Sequence, residues 1–246
     1  MMYYNRTNNC LYNPIHVKFN ENSEIGDTFS YTLQYPTFFA LKNTNFSVKQ
    51  DVLNNINSTI NSSVLTFKNG LMEEEKEVNA DNLENSNPQV KYKVVTNFAV
   101  TFNKNHILST IVSLMSFADN EGPIYDDLNN YNFDLLTGNE FTIGNVFNSN
   151  VDYLKVITNY VNYKISQNKE LYYPDANVDI PEDQAFYLTD EGVVIYFGLD
   201  EIAPKEFGIP KFTMEYKKFA PYINPRFYCT PENIYTTMRL RSNFRR

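Results

Sequence analysis

The chain has no tryptophan, two histidines, two cysteines and eight glycines among 246 residues. So few histidines, with cysteines at positions 10 and 229, exclude the clustered spacing of a transition-metal centre. No apolar run approaches the ~18 residues that a membrane-spanning helix needs. The opening MMYYNRTNNCLYN lacks the apolar core of a secretory signal, so the sequence as written reads as soluble, cytoplasmic or spore-associated. Positive charge is absent from one long interval, because no Lys or Arg lies between Lys104 and Lys155. That interval holds Asp119, Glu121, Asp126, Asp127, Asp134, Glu140 and Asp152, nearly the whole net charge of -8. Such a field repels nucleic acid and favours basic partners. The opposite sign gathers at Arg239, Arg241, Arg245 and Arg246, a solvated basic end.

Catalytic signatures are missing too. There is no nucleophile elbow, phosphate-cradling glycine loop or dinucleotide fingerprint. The acids of DNEGPIYDD lack calcium-loop spacing, and adjacent Asp126 and Asp127 in a loop are poorly fixed for acid–base work. His16 and His106 read as surface or turn residues. The expectation is a non-enzyme with no cofactor and no metal. Cys10 and Cys229 read either as independent thiols or as a disulfide joining the ends.

Present instead is clear patterning. DTFSYTLQY alternates as a half-buried strand up to Pro36. Val52, Ile56, Ile60, Val64, Phe67 and Leu71 form one stripe of a long amphipathic helix, which ends through the solvated run MEEEKEVN. Residues 81–89 read as a polar loop. Tyr92 to Phe102 alternate without a break, and HILSTIVSLMSF continues as a second strand after a turn at NKN. An acidic loop, ADNEGPIYDDLNN, precedes a hairpin YNFDL–LTGN–EFTI with Gly138 at its bend. Val151, Leu154, Thr158, Val161 and Ile165 mark a second helix. AFYLT and VVIYF form a hairpin through Asp190, Glu191 and Gly192, and a Pro/Gly loop leads to a strand at Phe212, Met214 and Tyr216. The fold class is α+β: antiparallel sheets, each packed by a long helix, in two successive subdomains.

Two segments carry a family resemblance. FYLTDEGVVIYFGLDEIAPKEFGIPKFTMEY (186–216) and YNFDLLTGNEFTIGNVF (131–147) resemble the C-terminal domain of lysozyme-sensing anti-sigma factors of the RsiV type. YPTFFAL, FSVKQDVLNNINSTI, FKNGL and YKVVTNFAVTFNKNHILSTIVSLMSF are similar to the N-terminal domain of the PdaC deacetylases. The resemblance spans about residues 15–220. It divides the chain into an arm (1–14), a PdaC-like subdomain (15–118), an RsiV-like subdomain (119–223) and a basic tail (224–246).

The resemblance implies a non-catalytic, extracytoplasmic module of cell-envelope sensing or wall binding. Its partner would be a basic protein, lysozyme among them, or a cell-wall glycan. The expected partner-binding residues are Asp119, Glu121, Ile124, Tyr125, Asp126 and Asp127, with Pro204, Lys205 and Phe207 from the later loop. The chain departs from its relatives at both places: ADNEGPIYDD replaces a Gly-Gly-Ala-His-like loop, and Lys205 and Glu206 precede the aromatic. The alternative is a structural or assembly protein of a spore or envelope layer, homo-oligomeric through its tyrosines and terminal cysteines.

Overall fold

A computed structural model describes residues 10–41, 48–119 and 123–229. The alternating segments form β1 (Ile15–Ile25), β2 (Phe29–Ala40), β3 (Tyr92–Lys104), β4 (Ile107–Ala118) and β5 (Pro123–Asp134), one sheet in that spatial order. All neighbours are antiparallel except β2 and β3. That parallel pair departs from the all-antiparallel expectation, because a 35-residue helix, α1 (Gln50–Glu84), connects the two strands as a crossover. β2 runs through Pro36 rather than stopping there. Its pairing with β3 covers only Phe29–Leu33, so no ladder partner on that side needs an N–H at position 36.

Of the expected helix stripe, Ile56, Ile60, Val64 and Leu71 are buried against Leu33, Val94, Val112, Leu114 and Tyr131 of the sheet, Val52 and Phe67 are only partly buried, and Leu53, outside that stripe, is fully buried. α1 also continues through the acidic run and into the expected polar loop. Glu75 and Asn79 are buried there, contrary to a fully solvated face. The Asn79 amide donates to Glu75 Oε1 at 2.6 Å and to Val90 O at 2.9 Å, and its Oδ1 accepts from Val90 N at 2.7 Å. These bonds satisfy the buried polar groups and fix the approach to β3.

The β3–β4 turn is tight, with Asn105 and His106 both at positive φ (55° and 61°), as a two-residue hairpin of this hand requires. A bulge interrupts β3 between Val100 and Phe102. Val100 packs on the α1 side, whereas Phe102 joins a different core with Ile107, Ile157, Leu188 and Ile195. One extra residue thus turns an unbroken alternation into a strand that feeds both faces.

The second subdomain contains α2 (Ile143–Val146), α3 (Tyr153–Gln167), then β6 (Phe186–Leu188), β7 (Gly192–Tyr196) and β8 (Lys211–Glu215) in an antiparallel sheet, and α4 (Tyr216–Phe219). Every residue of β6 and β7 is buried. Phe186, Leu188, Val193 and Ile195 face α3, and Tyr187, Val194 and Tyr196 pack with Leu128 of β5. The layers therefore run α1, five-stranded sheet, three-stranded sheet, α3. Gly192 is obligatory, since a Cβ there would lie 2.4 Å from Met214 O.

Polar stitches join the two sheets. Ser109, fully buried, donates to Asn132 Oδ1 at 2.6 Å and accepts from Leu188 N at 3.0 Å; the Asn132 amide donates to Phe186 O at 2.9 Å.

Three boundaries need correction. Residues 123–130, expected within an acidic loop, and 131–134, expected as a hairpin arm, together form the edge strand of the first sheet, paired along the free edge of β4. The expected hairpin at 131–143 is reduced to one bridge, Phe133 to Glu140, since Ile143 already begins α2. Neither end is loose where described: Asn13 is buried and donates to Asn103 Oδ1 (2.9 Å) and Ile107 O (2.8 Å). Phe227 enters the second core, and Arg226 makes a bidentate pair with Asp134 at 2.8 and 2.7 Å. Cys10 and Cys229 form a disulfide, deciding between the two readings of that pair. Among the described residues no helix is long and apolar enough to cross a membrane. The four distal arginines lie outside the described residues.

Candidate functional site at the junction of the sheets

β5 is half covered. From Leu128 onward it supports the second sheet, with the Tyr196 hydroxyl 2.7 Å from both Leu128 O and Asn130 Oδ1. Its first residues project past that contact. Ile124 is 47% exposed and Tyr125 39%, the latter with its ring 5.0 Å from Phe67 of α1 and its hydroxyl donating to Asp127 Oδ2 at 3.2 Å. Asp127 Oδ1 accepts from Leu128 N at 2.7 Å. Burial pushes the Asp126 carboxyl up; Lys211 opposes this and the Asp127 charge adds to it. Asp119 follows β4 at φ 51°, and its carboxylate accepts from Lys91 N at 2.9 Å, tying it to the residue before β3. Glu121 lies outside the described residues.

The later loop is anchored and then exposed. Ile202, Ala203 and Pro210 are buried, and Pro210 O accepts from Phe197 N at 3.1 Å. Pro204 caps a single 3-10 turn over Lys205–Phe207, and Gly208 leaves it at φ 70°, a conformation suited to glycine. Lys205 is exposed and Phe207 is 55% exposed at the tip of this turn.

The segment that follows the later loop approaches β5 where the sheets meet. Ile209 packs with Leu128, Tyr187, Val194 and Tyr196, and the Lys211 charge acts on the Asp126 carboxyl. One acid of the interval is neutralised from afar, Asp134 by Arg226, and Asp152 accepts from the backbone N–H of Lys155 as the cap of α3.

A cleft adjoins this surface, with a volume near 630 Å³. α1 contributes Thr59 and Ser63, β5 contributes Asp127 to Tyr131, and Glu140, Asp183, Gln184 and Glu201 close it. The sequence reading missed the last four, and no local spacing joins them; only the packing of the second sheet on β5 does. Among the described residues no three His, Cys, Asp or Glu side chains are grouped to hold a metal ion.

Comparisons follow the same division. Residues 23–118 match the family described as Deacetylase PdaC, and residues 144–217 match the Protein of unknown function family DUF3298. The chain carries the two regions in tandem. Together they indicate a module of the cell-envelope type. Between the matched regions lie residues 119–143, which include β5 and most of the acidic interval. A solved DUF3298 family member from Bacteroides fragilis is similar at TM-score 0.65 and 13% identity, over 87% of this chain and 95% of that one. A DUF3298 family protein from Pseudomonas aeruginosa is similar at TM-score 0.55 and 12% identity, over 89% and 97%. At these identities the likeness concerns the fold. No curated protein matches the chain.

Proposed function

We propose that this chain is a non-catalytic binding module whose working surface is the sheet junction, and that it recognises a basic protein of the cell envelope. One observation carries the reading. Exposed Ile124 and Tyr125 stand on β5 beside Asp126, Asp127 and an acid-lined cleft, and exposed Phe207 stands on the loop that leads to Lys211, whose charge acts on Asp126. Apolar anchors within a complementary charged rim are the usual anatomy of a protein-recognition patch. Lysozyme is the specific partner favoured by the resemblance, and a cell-wall glycan is the other ligand to test. The Cys10–Cys229 bond supports residence in an oxidising compartment. It also weakens the assembly reading, since both cysteines of the sequence are used within one chain.

Calorimetric titration with lysozyme at low and moderate salt tests the proposal, with peptidoglycan fragments as a parallel arm. Salt-sensitive binding is expected, weakened about tenfold or more by Ile124→Ser or Phe207→Ser. Silence with lysozyme at both salt concentrations removes that partner, and binding of the fragments alone makes the module a glycan binder.

A further inference from the structure

The outer strands of the two sheets are β1, β5, β6 and β8, and all but β1 are bonded along their outer edge from within the chain. On β5, Leu128 O accepts from the Tyr196 hydroxyl at 2.7 Å and Asn132 O from Phe141 N at 3.0 Å. On β6, Phe186 O accepts from the Asn132 amide and Leu188 N donates to Ser109 Oγ. On β8, Thr213 O accepts from the Tyr160 hydroxyl.

The bonds of β1 to β2 fix which of its groups face outward. Gly26 N donates to Phe29 O at 3.0 Å and Leu41 N to Pro14 O at 2.8 Å, so the even-numbered residues of β1 exchange bonds with β2. The N–H and C=O of Val17, Phe19, Glu21, Ser23 and Ile25 therefore point away from the sheet. Among the described residues no hydrogen bond reaches any of them. An unpaired edge is a template for another strand, and β1 carries neither proline nor bulge over its 11 residues to prevent pairing. Phe19 is 54% exposed on this edge and Ile25 92%.

We infer that β1 pairs with β1 of a second copy of this chain, antiparallel about a two-fold axis at Asn20. In that register outward residues meet outward residues along the whole strand: Phe19 opposite Glu21, Val17 opposite Ser23, and Ile15 opposite Ile25. The charges are self-complementary. His16 falls opposite Glu24, and Lys18 falls opposite Asn22 with Glu24 on its diagonal, so no like charges stand directly opposite. Each exposed Phe19 ring lies diagonal to its own copy, within reach of an aromatic contact. Glu21 is held by Gln34 Nε2 at 2.8 Å. Moving the axis to Glu21 sets that carboxylate opposite itself, and moving it to Phe19 leaves Glu24 and Ile25 without a partner. The contact is backbone pairing and needs neither cysteine. β1 and β5 are opposite edges of one sheet, so the dimer leaves the surface on β5 free in both copies.

Sedimentation equilibrium and amide hydrogen exchange of the full chain, from micromolar to millimolar protein, test the assignment. The mass is expected to rise toward that of two chains. The amides of Phe19, Glu21 and Ser23 should exchange fast in dilute protein and slowly in concentrated protein, while those of Lys18, Asn20 and Asn22 stay protected throughout. Ser23→Pro removes an outward N–H without touching the bonds to β2, and should weaken dimerisation about tenfold or more through two lost bonds per dimer. Glu24→Lys should weaken it as well, and adding Lys18→Glu should recover part of that loss. Glu77→Gln, on the exposed side of α1, should change nothing. A single-chain mass up to millimolar protein overturns the inference, as does a dimer whose Phe19, Glu21 and Ser23 amides exchange as freely as in the monomer. Undiminished dimerisation of a Ser23→Pro chain with the wild-type denaturant midpoint overturns it too. Should that variant lower the midpoint, the charge-reversal pair decides, and a Glu24→Lys chain that dimerises as the wild type does sinks the register.

Discussion

At the residue scale, the most consequential charges are the ones the fold has paired. Burial raises the Asp134 carboxyl, but hydrogen bonds from Arg226 and from Leu136 N more than offset it and hold it below the usual carboxylate range. His106 is shifted downward by burial first and by Arg226 next, with Asp134 opposing. Both groups bind protons less readily folded than unfolded, so each contributes stability at neutral pH that acid removes. For His106 the loss begins as pH falls below ~6.5 and for Asp134 below ~3.9, each continuing through the lower folded value. Denaturant midpoints measured from neutral to acid pH should fall through both windows, and His106→Gln should flatten the upper one. An unchanged midpoint in the wild-type chain between those two values would contradict the assignment. None of this was legible locally: Asp134 reads as one of seven acids in a cation-free interval, and its partner is 92 residues away.

At the element scale, period and alternation located most strands and both long helices, because each buries one face against the core. The failures occurred where a tertiary neighbour changed the requirement. β3 alternates perfectly as written, yet the bulge before Phe102 moves that ring from the α1 side to the second core. Phe102→Ala should therefore cost about 3–5 kcal/mol. Hydrogen exchange should show β6–β8 losing protection before α1 does; equal loss in both would refute a dedicated role in the second core. Residues 123–130 of β5 were hidden for a related reason. Its Asp, Asn and Pro content suggests a loop, and only pairing with β4 on one side and packing under Tyr196 on the other hold it extended. Much of the candidate site sits on this element, so Ile124 to Asp127 were legible as residues but not as a strand edge.

At the scale of the whole molecule, the two ends are tied. Cys10 and Cys229 are 219 positions apart, and the bond closes nearly the whole chain into one loop. Replacing both with serine should lower stability by about 2–5 kcal/mol, the range for long closed loops. Reductant should reproduce the shift in the wild-type protein and have no effect on the variant. Matching stability in the oxidised and reduced states would mean that the ends are held by Arg226, Asn13 and Phe227 without help. The α+β class and the paired helix-and-sheet units followed from the sequence by itself, because amphipathic period is a local property of side-chain order. So did the loop from Gly198 to Pro210, because Pro204 and Gly208 restrict or permit backbone angles wherever they stand. Tertiary structure alone decided the face that Phe102 buries, the pairing of the cysteines and the packing of β5 against the second sheet. It also made the cleft, because Asp127, Glu140, Asp183 and Glu201 share no local spacing and become neighbours only when one sheet packs on the other.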